Sequence, residues 1–514
     1  MRTQQTSRRE FLTDVGRGML CASLGAPLVR ALDLLPRGDD RAQDGPRLGF
    51  GPRDRLVALL TETAPDRLLP AVVKLLRDGT TLDDLVAAAA LGNARALGGE
   101  DYVGFHTFMA LRPARRMALQ LPAGRSALPV LKVLYRNAAR LTDRGKVADV
   151  LQPLPATGTG APSIADAVHR HDLTAAEAAL ATACKASPAR AFEQLLATVQ
   201  EACDVHRVVL AHRAWDMCEL TGAQHAHTLL RQSLHYCVKN ETYAASTFAD
   251  LRTLLPRLLD QHHLPERMTG AMAVEDAWVA DLARILLRAT PAQAAEAVAA
   301  ALAEGIVAED VGAAIALTAN QLMLRDEGRT GQQIQPGKPK GSVHGDSTGI
   351  HASDTAHAWR QIAHATEPRT AAASLIVAGY HVARDRGGRA FADWEPRPAA
   401  AAVAKVTTRE PEALLKDLDG AVRGRDQDQA CVVAARYLEL GHDADAAFAL
   451  LLGHALQADG ALHAEKYFWT TQEEFRALRP ALRGGQLIAL ARASASQYGT
   501  PAPGMAEAEQ LLRA

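Results

Sequence analysis

Eighteen histidines are spread along a chain of 514 residues, and their spacing shows where chemistry would begin. The densest polar run is Val343-His344-Gly345-Asp346-Ser347-Thr348-Gly349-Ile350-His351, which closes a long polar loop and opens a helix. The first turn of a helix leaves backbone N–H groups without partners and favours an electron-rich ligand. Two imidazoles and a carboxylate placed there make His344, His351 and Asp346 the candidate catalytic set, with His344 and His351 contacting substrate or metal. Asp346, Ser347 and Ser353 also have a plainer use, as helix caps. A second candidate lies in a helical hairpin: His206 and His212 fall on one helix and His227 and His235 on the next. Counting outward from the turn puts His206 and His235 at similar heights, so they are the candidate metal ligands, with Asp216 and Glu219 at hand as outer partners. The competing reading is hydrogen-bonded core histidines beside Trp215 and Tyr236. His106, His212, His381 and His463 are further candidates, each in an otherwise apolar helix, and His463 shares a face with Tyr467 at i, i+4.

Other motifs are incomplete. Gly345-Asp346-Ser347-Thr348-Gly349 satisfies G-x-S-x-G, but a nucleophile elbow needs a buried strand ahead of the serine. The preceding Lys338-Pro339-Lys340-Gly341-Ser342 is no such strand, so a hydrolase using Ser347 ranks third among the functional readings. There is no H-E-x-x-H and no two Glu-x-x-His motifs to make a di-iron set; Asp166-x-x-His169 and Asp354-x-x-His357 are aspartate variants of that spacing. No G-x-G-x-x-G fingerprint marks a dinucleotide site.

The elements that must position these groups are helices. Apolar residues make up 48% of the chain but aromatic residues only 4%, and alanine-rich stretches such as Val86 to Ala90 and Ala294 to Ala303 favour helix. Thr174-Ala-Ala-Glu177 and Thr290-Pro291-Ala-Gln293 read as capping boxes, and Thr81-Leu-Asp-Asp84 opens a helix with acidic residues against its dipole. No segment alternates as a strand does. The expected fold is all-α, an array or bundle of antiparallel helix hairpins, with a degenerate α-solenoid as a variant. The expected organisation is a twin-arginine signal segment over 1–35, a flexible linker over 36–52, and helical regions over 53–150, 164–325 and 347–514. A linker over 151–163 and a long polar loop over 326–346 separate the three regions.

Charge narrows the partners. Lys plus Arg number 57 against 58 Asp plus Glu, a net charge of −1, which argues against nucleic acid. A charged fraction of 22% argues against multi-span membrane insertion. Five of the six cysteines lie beyond residue 35, an odd number without a C-x-x-C pair, so a disulfide framework is not expected.

Three resemblances add to this reading. Ser7-Arg8-Arg9-Glu10-Phe11-Leu12, followed by a moderately apolar stretch from Gly16 to Leu34, resembles a twin-arginine (Tat) signal peptide. It implies the Tat machinery as partner through Arg8 and Arg9, and a periplasmic protein or one anchored by an uncleaved signal. The chain as a whole resembles Tat-exported, alanine-rich helical proteins of planctomycete-type bacteria. The run from Ser342-Val-His344 through Thr348 to Ala358-Trp359-Arg360 resembles the questin oxidase-like family. That resemblance implies oxygen-dependent oxidation of an aromatic or polyketide-like small molecule, with a reduced nicotinamide as a cofactor. The leading expectation is therefore an exported helical protein with a His-lined pocket, an oxidoreductase using a metal ion or a reduced nicotinamide. The alternative is a non-catalytic helical scaffold or partner-binding protein.

Overall fold

Local chemistry sets the helix boundaries. The Thr290 hydroxyl accepts from the Gln293 amide, the Gln293 side chain returns to Thr290, and Pro291 occupies the first helical position. Thr81 caps the helix Leu82–Leu97 through Asp84 N, and Gly98 ends it in the left-handed conformation that glycine adopts without a Cβ penalty. Thr174 is not a cap: Asp172 accepts from Ala175 N and starts the helix Leu173–Ala186 two residues earlier. A carboxylate caps as well as a hydroxyl, and Glu177 is left to bind Arg231 and His235.

A computed structural model describes residues 47–513 except 146, 155–162, 265, 267–271 and 388–390. The signal segment and most of both linkers therefore lie outside the described residues. Within them are 24 α-helices and no strand, only three isolated bridges. The end of the expected first linker is packed rather than loose: Phe50 is buried, and its amide donates to Asp54. No described helix is long and apolar enough to cross a membrane.

Sequence neighbours form the expected hairpins. Val205–Thr221 and Ala226–Lys239 turn back on one another through Gly222 and a short 3-10 turn, bringing Asp204 at the start of one against Tyr236 near the end of the other. One hydrophobic cluster runs from Phe50 to Ala508 and draws on all three helical regions. The buried alanines of Leu82–Leu97 and Pro291–Ala303 give neighbouring helices room to approach closely.

The centre of the molecule departs from the hairpin pattern. Four helices far apart in sequence, Tyr102–Ala118, Val205–Thr221, Thr348–His364 and His463–Ala477, form a closed ring in which each packs on the next. They run parallel. His206 meets His351 and His212 meets His357; His351 meets His463 and Asp354 meets Thr470. His106 meets His463 and Gln120, just past its helix, meets Gln472. All four N-termini therefore lie at one end of the ring, an arrangement that short connections between consecutive helices would not produce.

Candidate functional site

At that end each ring helix contributes one imidazole. The ring centroids of His106 and His206 are 4.9 Å apart, those of His206 and His351 5.7 Å, of His351 and His463 5.3 Å, and of His463 and His106 5.1 Å. His106, His206 and His463 are buried, while His351 keeps some solvent access. The layer forms because each histidine falls near the start of its helix. Asp101 caps one helix through Gly104 N, Asp204 the next through Arg207 N, and Ser347 the third through Ile350 N.

Hydrogen bonds orient the rings. His106 Nδ1 donates to the Tyr102 carbonyl at 2.7 Å, and His463 Nδ1 to the Gly460 carbonyl at 3.1 Å. Both rings then present an unprotonated Nε2. His463 Nε2 lies 3.2 Å from His351 Nε2. The Nε2 atoms of His106 and His206 and the Tyr102 hydroxyl are buried with no hydrogen-bond partner among the described residues. An unmet buried polar atom costs about 1–3 kcal/mol, so three on neighbouring rings require an explanation.

The layer is held neutral. Burial, reinforced by the charge of Lys466, pushes His106 and His463 well below the ordinary imidazole range. Burial lowers His206 to about 4 against the pull of Asp204, and lowers His351 to about 3. One helical turn deeper, burial brings the Lys466 ammonium down to about 8 against the opposing charge of Asp354, and raises the Asp354 carboxyl. Beside the layer stand Tyr102, its ring 4.4 Å from that of His106, and Asp204, 3.7 Å from His206 Nδ1.

The other candidates sit elsewhere. His206 and His235 share no site, because the two faces of the hairpin diverge. His235 donates to Glu100 and Glu177, both at 2.8 Å, and these carboxylates outweigh burial and raise its pKa. His344 is hydrogen-bonded through Nδ1 to Ser496 Oγ and through Nε2 to the Gly337 carbonyl. Asp346 accepts from Arg329 and Lys338, both at 2.7 Å, and fastens the polar loop; those cations hold its carboxyl well below the usual range despite burial. Ser347 donates to the Val343 carbonyl at 2.6 Å and caps its helix, with no histidine as its partner. His212 packs against His357 at 5.8 Å, and His381 accepts from Trp359 Nε1 at 3.3 Å. Of the expected catalytic set only His351 joins the layer, and His106, His206 and His463 complete it. Tyr102, Asp204 and Lys466 were not among the expected site residues.

Other clusters do less. His169, Glu201 and Glu241 offer ligand atoms within 4.8 Å of one another, but Arg252 already binds both oxygens of Glu241 at 2.8 and 2.9 Å. A cavity of about 20 Å³ lies against His463, Ile350, Ala464 and Tyr467, enough for a water-sized group. A surface hollow of about 420 Å³ between Leu438, Asp443, Phe475 and Arg483 touches none of the four imidazoles. No family model, no curated protein and no solved structure matches the chain.

Proposed function

We propose that this chain is an enzyme that oxidises a small organic molecule at the four-imidazole layer. One observation carries the reading: helices separated by about a hundred residues or more of sequence bring neutral imidazoles to one point and leave nitrogens there without partners. Packing alone gives no reason to bury them. Neutral imidazoles accept protons or bind metals, and the Lys466 ammonium beside them favours an anionic or anion-forming substrate such as a phenol. The resemblance of Ser342–Thr348 and Ala358-Trp359-Arg360 to the questin oxidase-like family supports oxygen-dependent oxidation of an aromatic or polyketide-like compound. A reduced nicotinamide fits less well. The described residues contain no strand leading through a glycine turn into a helix, so they offer its pyrophosphate no Rossmann-type cradle. The cavity beside His463 is too small for an aromatic ring system, so such a substrate would need the layer to open, and His351 is the imidazole of the four that keeps solvent access.

The test is oxygen uptake by the purified full chain over a panel of phenols and hydroxylated anthraquinones. His351→Ala and His463→Ala are each expected to lower turnover at least about 100-fold, while the exposed His169→Ala leaves it unchanged. Undiminished turnover in both layer variants would reject the site. A protein inert toward the whole panel favours the scaffold reading, for which the closed interior speaks.

Export by the Tat route is part of the same proposal. The route carries folded proteins, which suits a site assembled from four distant helices, and the five described cysteines are free. Replacing Arg8 and Arg9 together with lysine is expected to leave the protein in the cytoplasm on cell fractionation. Continued appearance in the periplasm or at the membrane would exclude this route.

A further inference from the structure

We propose that His106, His206, His351 and His463 are the ligands of one first-row transition-metal ion held between the four parallel helices. The inference deepens the reading of this layer as a reaction centre but does not need turnover to be true. Two imidazoles bound to one ion at 2.0–2.1 Å and a tetrahedral angle place their ring centroids about 5 Å apart. The four neighbouring pairs lie at 4.9, 5.7, 5.3 and 5.1 Å. His351 Nε2 and His463 Nε2, 3.2 Å apart, are already at the separation of adjacent ligands.

The partners of the other ring nitrogens point the same way. Metal-binding histidines commonly donate their second N–H to a backbone carbonyl or a carboxylate, which fixes the tautomer and aims the lone pair. His106 and His463 do so with the Tyr102 and Gly460 carbonyls, and His206 Nδ1 faces Asp204 at 3.7 Å. The buried Nε2 atoms of His106 and His206 are the unpartnered groups that an ion would satisfy. No three of the imidazoles offer nitrogens all within 4.8 Å of one another, so an ion would have to draw the four rings closer together.

The chemistry of the donors selects the ligand. Four parallel helix N-termini and Lys466 would favour an anion, but an anion needs N–H donors. Three of the helix ends spend a donor on Asp101, Asp204 or Ser347, and the Nδ1 hydrogen bonds of His106 and His463 leave their Nε2 lone pairs free to face inward. Lone pairs bind a Lewis acid. Asp204 and Asp346, whose charges act on His206 and His351, offset part of the positive field. A set of nitrogen donors without thiolate suits copper, zinc, iron or nickel rather than magnesium or calcium.

The test uses the full chain, stripped with a chelator and titrated with Co(II) as a spectroscopic probe and with Cu(II) and Zn(II) as competitors. One equivalent of Co(II) is expected, with visible ligand-field bands that Zn(II) abolishes. His106→Gln and His463→Gln should each weaken binding by more than the roughly 10–100-fold that follows loss of an outer partner; His169→Ala should bind like the parent. If the glutamine variants fail to fold, X-ray absorption fine structure of the Co(II)-loaded parent decides, three or four imidazole scatterers being required. No stoichiometric Co(II), an oxygen-rich shell, or full affinity in folded His106→Gln and His463→Gln overturns the proposal. The two readings separate cleanly. A chelated protein that binds no Co(II) yet turns over keeps the enzyme and loses the metal. One that binds Co(II) through imidazoles yet oxidises nothing keeps the metal and loses the enzyme.

Discussion

Replacing Glu474 with alanine is expected to lower the free energy of unfolding by about 3–5 kcal/mol, the usual effect of removing one member of a buried charge cluster. Glu474 is buried on the His463–Ala477 helix and faces two cations on the neighbouring Thr348–His364 helix. Its Oε1 accepts from His357 Nδ1 at 2.9 Å, and its Oε2 pairs with Arg360, which also reaches Glu309 at 2.6 Å. Alanine leaves the Arg360 guanidinium and the His357 imidazolium with one inner carboxylate fewer between them. Glu474→Gln, which keeps shape and an acceptor but not the charge, should lose less. Denaturant unfolding at pH 7 measures both, and a loss below about 1 kcal/mol for alanine would show that the cluster contributes little. The consequence reaches the imidazole layer. Glu474 with His357, Thr470 with Asp354, and His463 with His351 are successive contacts between the same two parallel helices. Loosening the far end of that ladder should also lengthen the His351–His463 contact.

The helices were legible from local chemistry and the ring was not. Thr81 and Thr290 cap where the side-chain pattern places them, because a cap involves residues three apart. Thr174 was misread since Asp172, an equally good cap, stands two residues earlier. The pairing of His206 with His235 failed for a different reason. Equal height on a hairpin does not fix the face, and His235 points at Glu100 and Glu177. Choosing between His344 and His351 required knowing that Ser496, some 150 residues away, takes the His344 ring. The sequence does hold one signal that could have found the layer. His106, His206 and His351 each follow a capping residue, Asp101, Asp204 and Ser347, by two to five positions, so each lies in the first turns of its helix. A shared position near helix starts says that histidines would share a level if the helices ran parallel. Nothing local says that they do, since orientation is set by how the intervening hairpins pack.

The charge state of His357 sets the other large effect, a selective loss of its contribution at alkaline pH. Burial would lower this imidazole, but contacts with Glu473 at 3.0 Å and Glu474 at 2.9 Å outweigh burial and raise it to about 9. A group held above its unfolded value of about 6.5 stabilises fully below that value, and the contribution is lost as pH rises through the folded value. At about 1.4 kcal/mol per pH unit, the difference amounts to roughly 3 kcal/mol. Total stability will not show it alone. The buried cysteines, which burial raises, also destabilise at high pH, whereas Lys466, lowered to about 8, works in the opposite direction. The quantity to measure is the difference in unfolding free energy between the parent and His357→Gln, in which those other groups cancel. That difference should shrink by about 2–3 kcal/mol between pH 6.5 and pH 9.5. Glu473, Glu474, Arg360, Asp354 and His212 are charged or titratable groups that act on His357, and none of them has an ordinary pKa inside that interval except His212. Burial holds His212 well below the usual imidazole range, so it stays neutral throughout. A difference that does not change with pH would mean that His357 is neutral in the folded protein, and Glu474 would then answer to Arg360 alone.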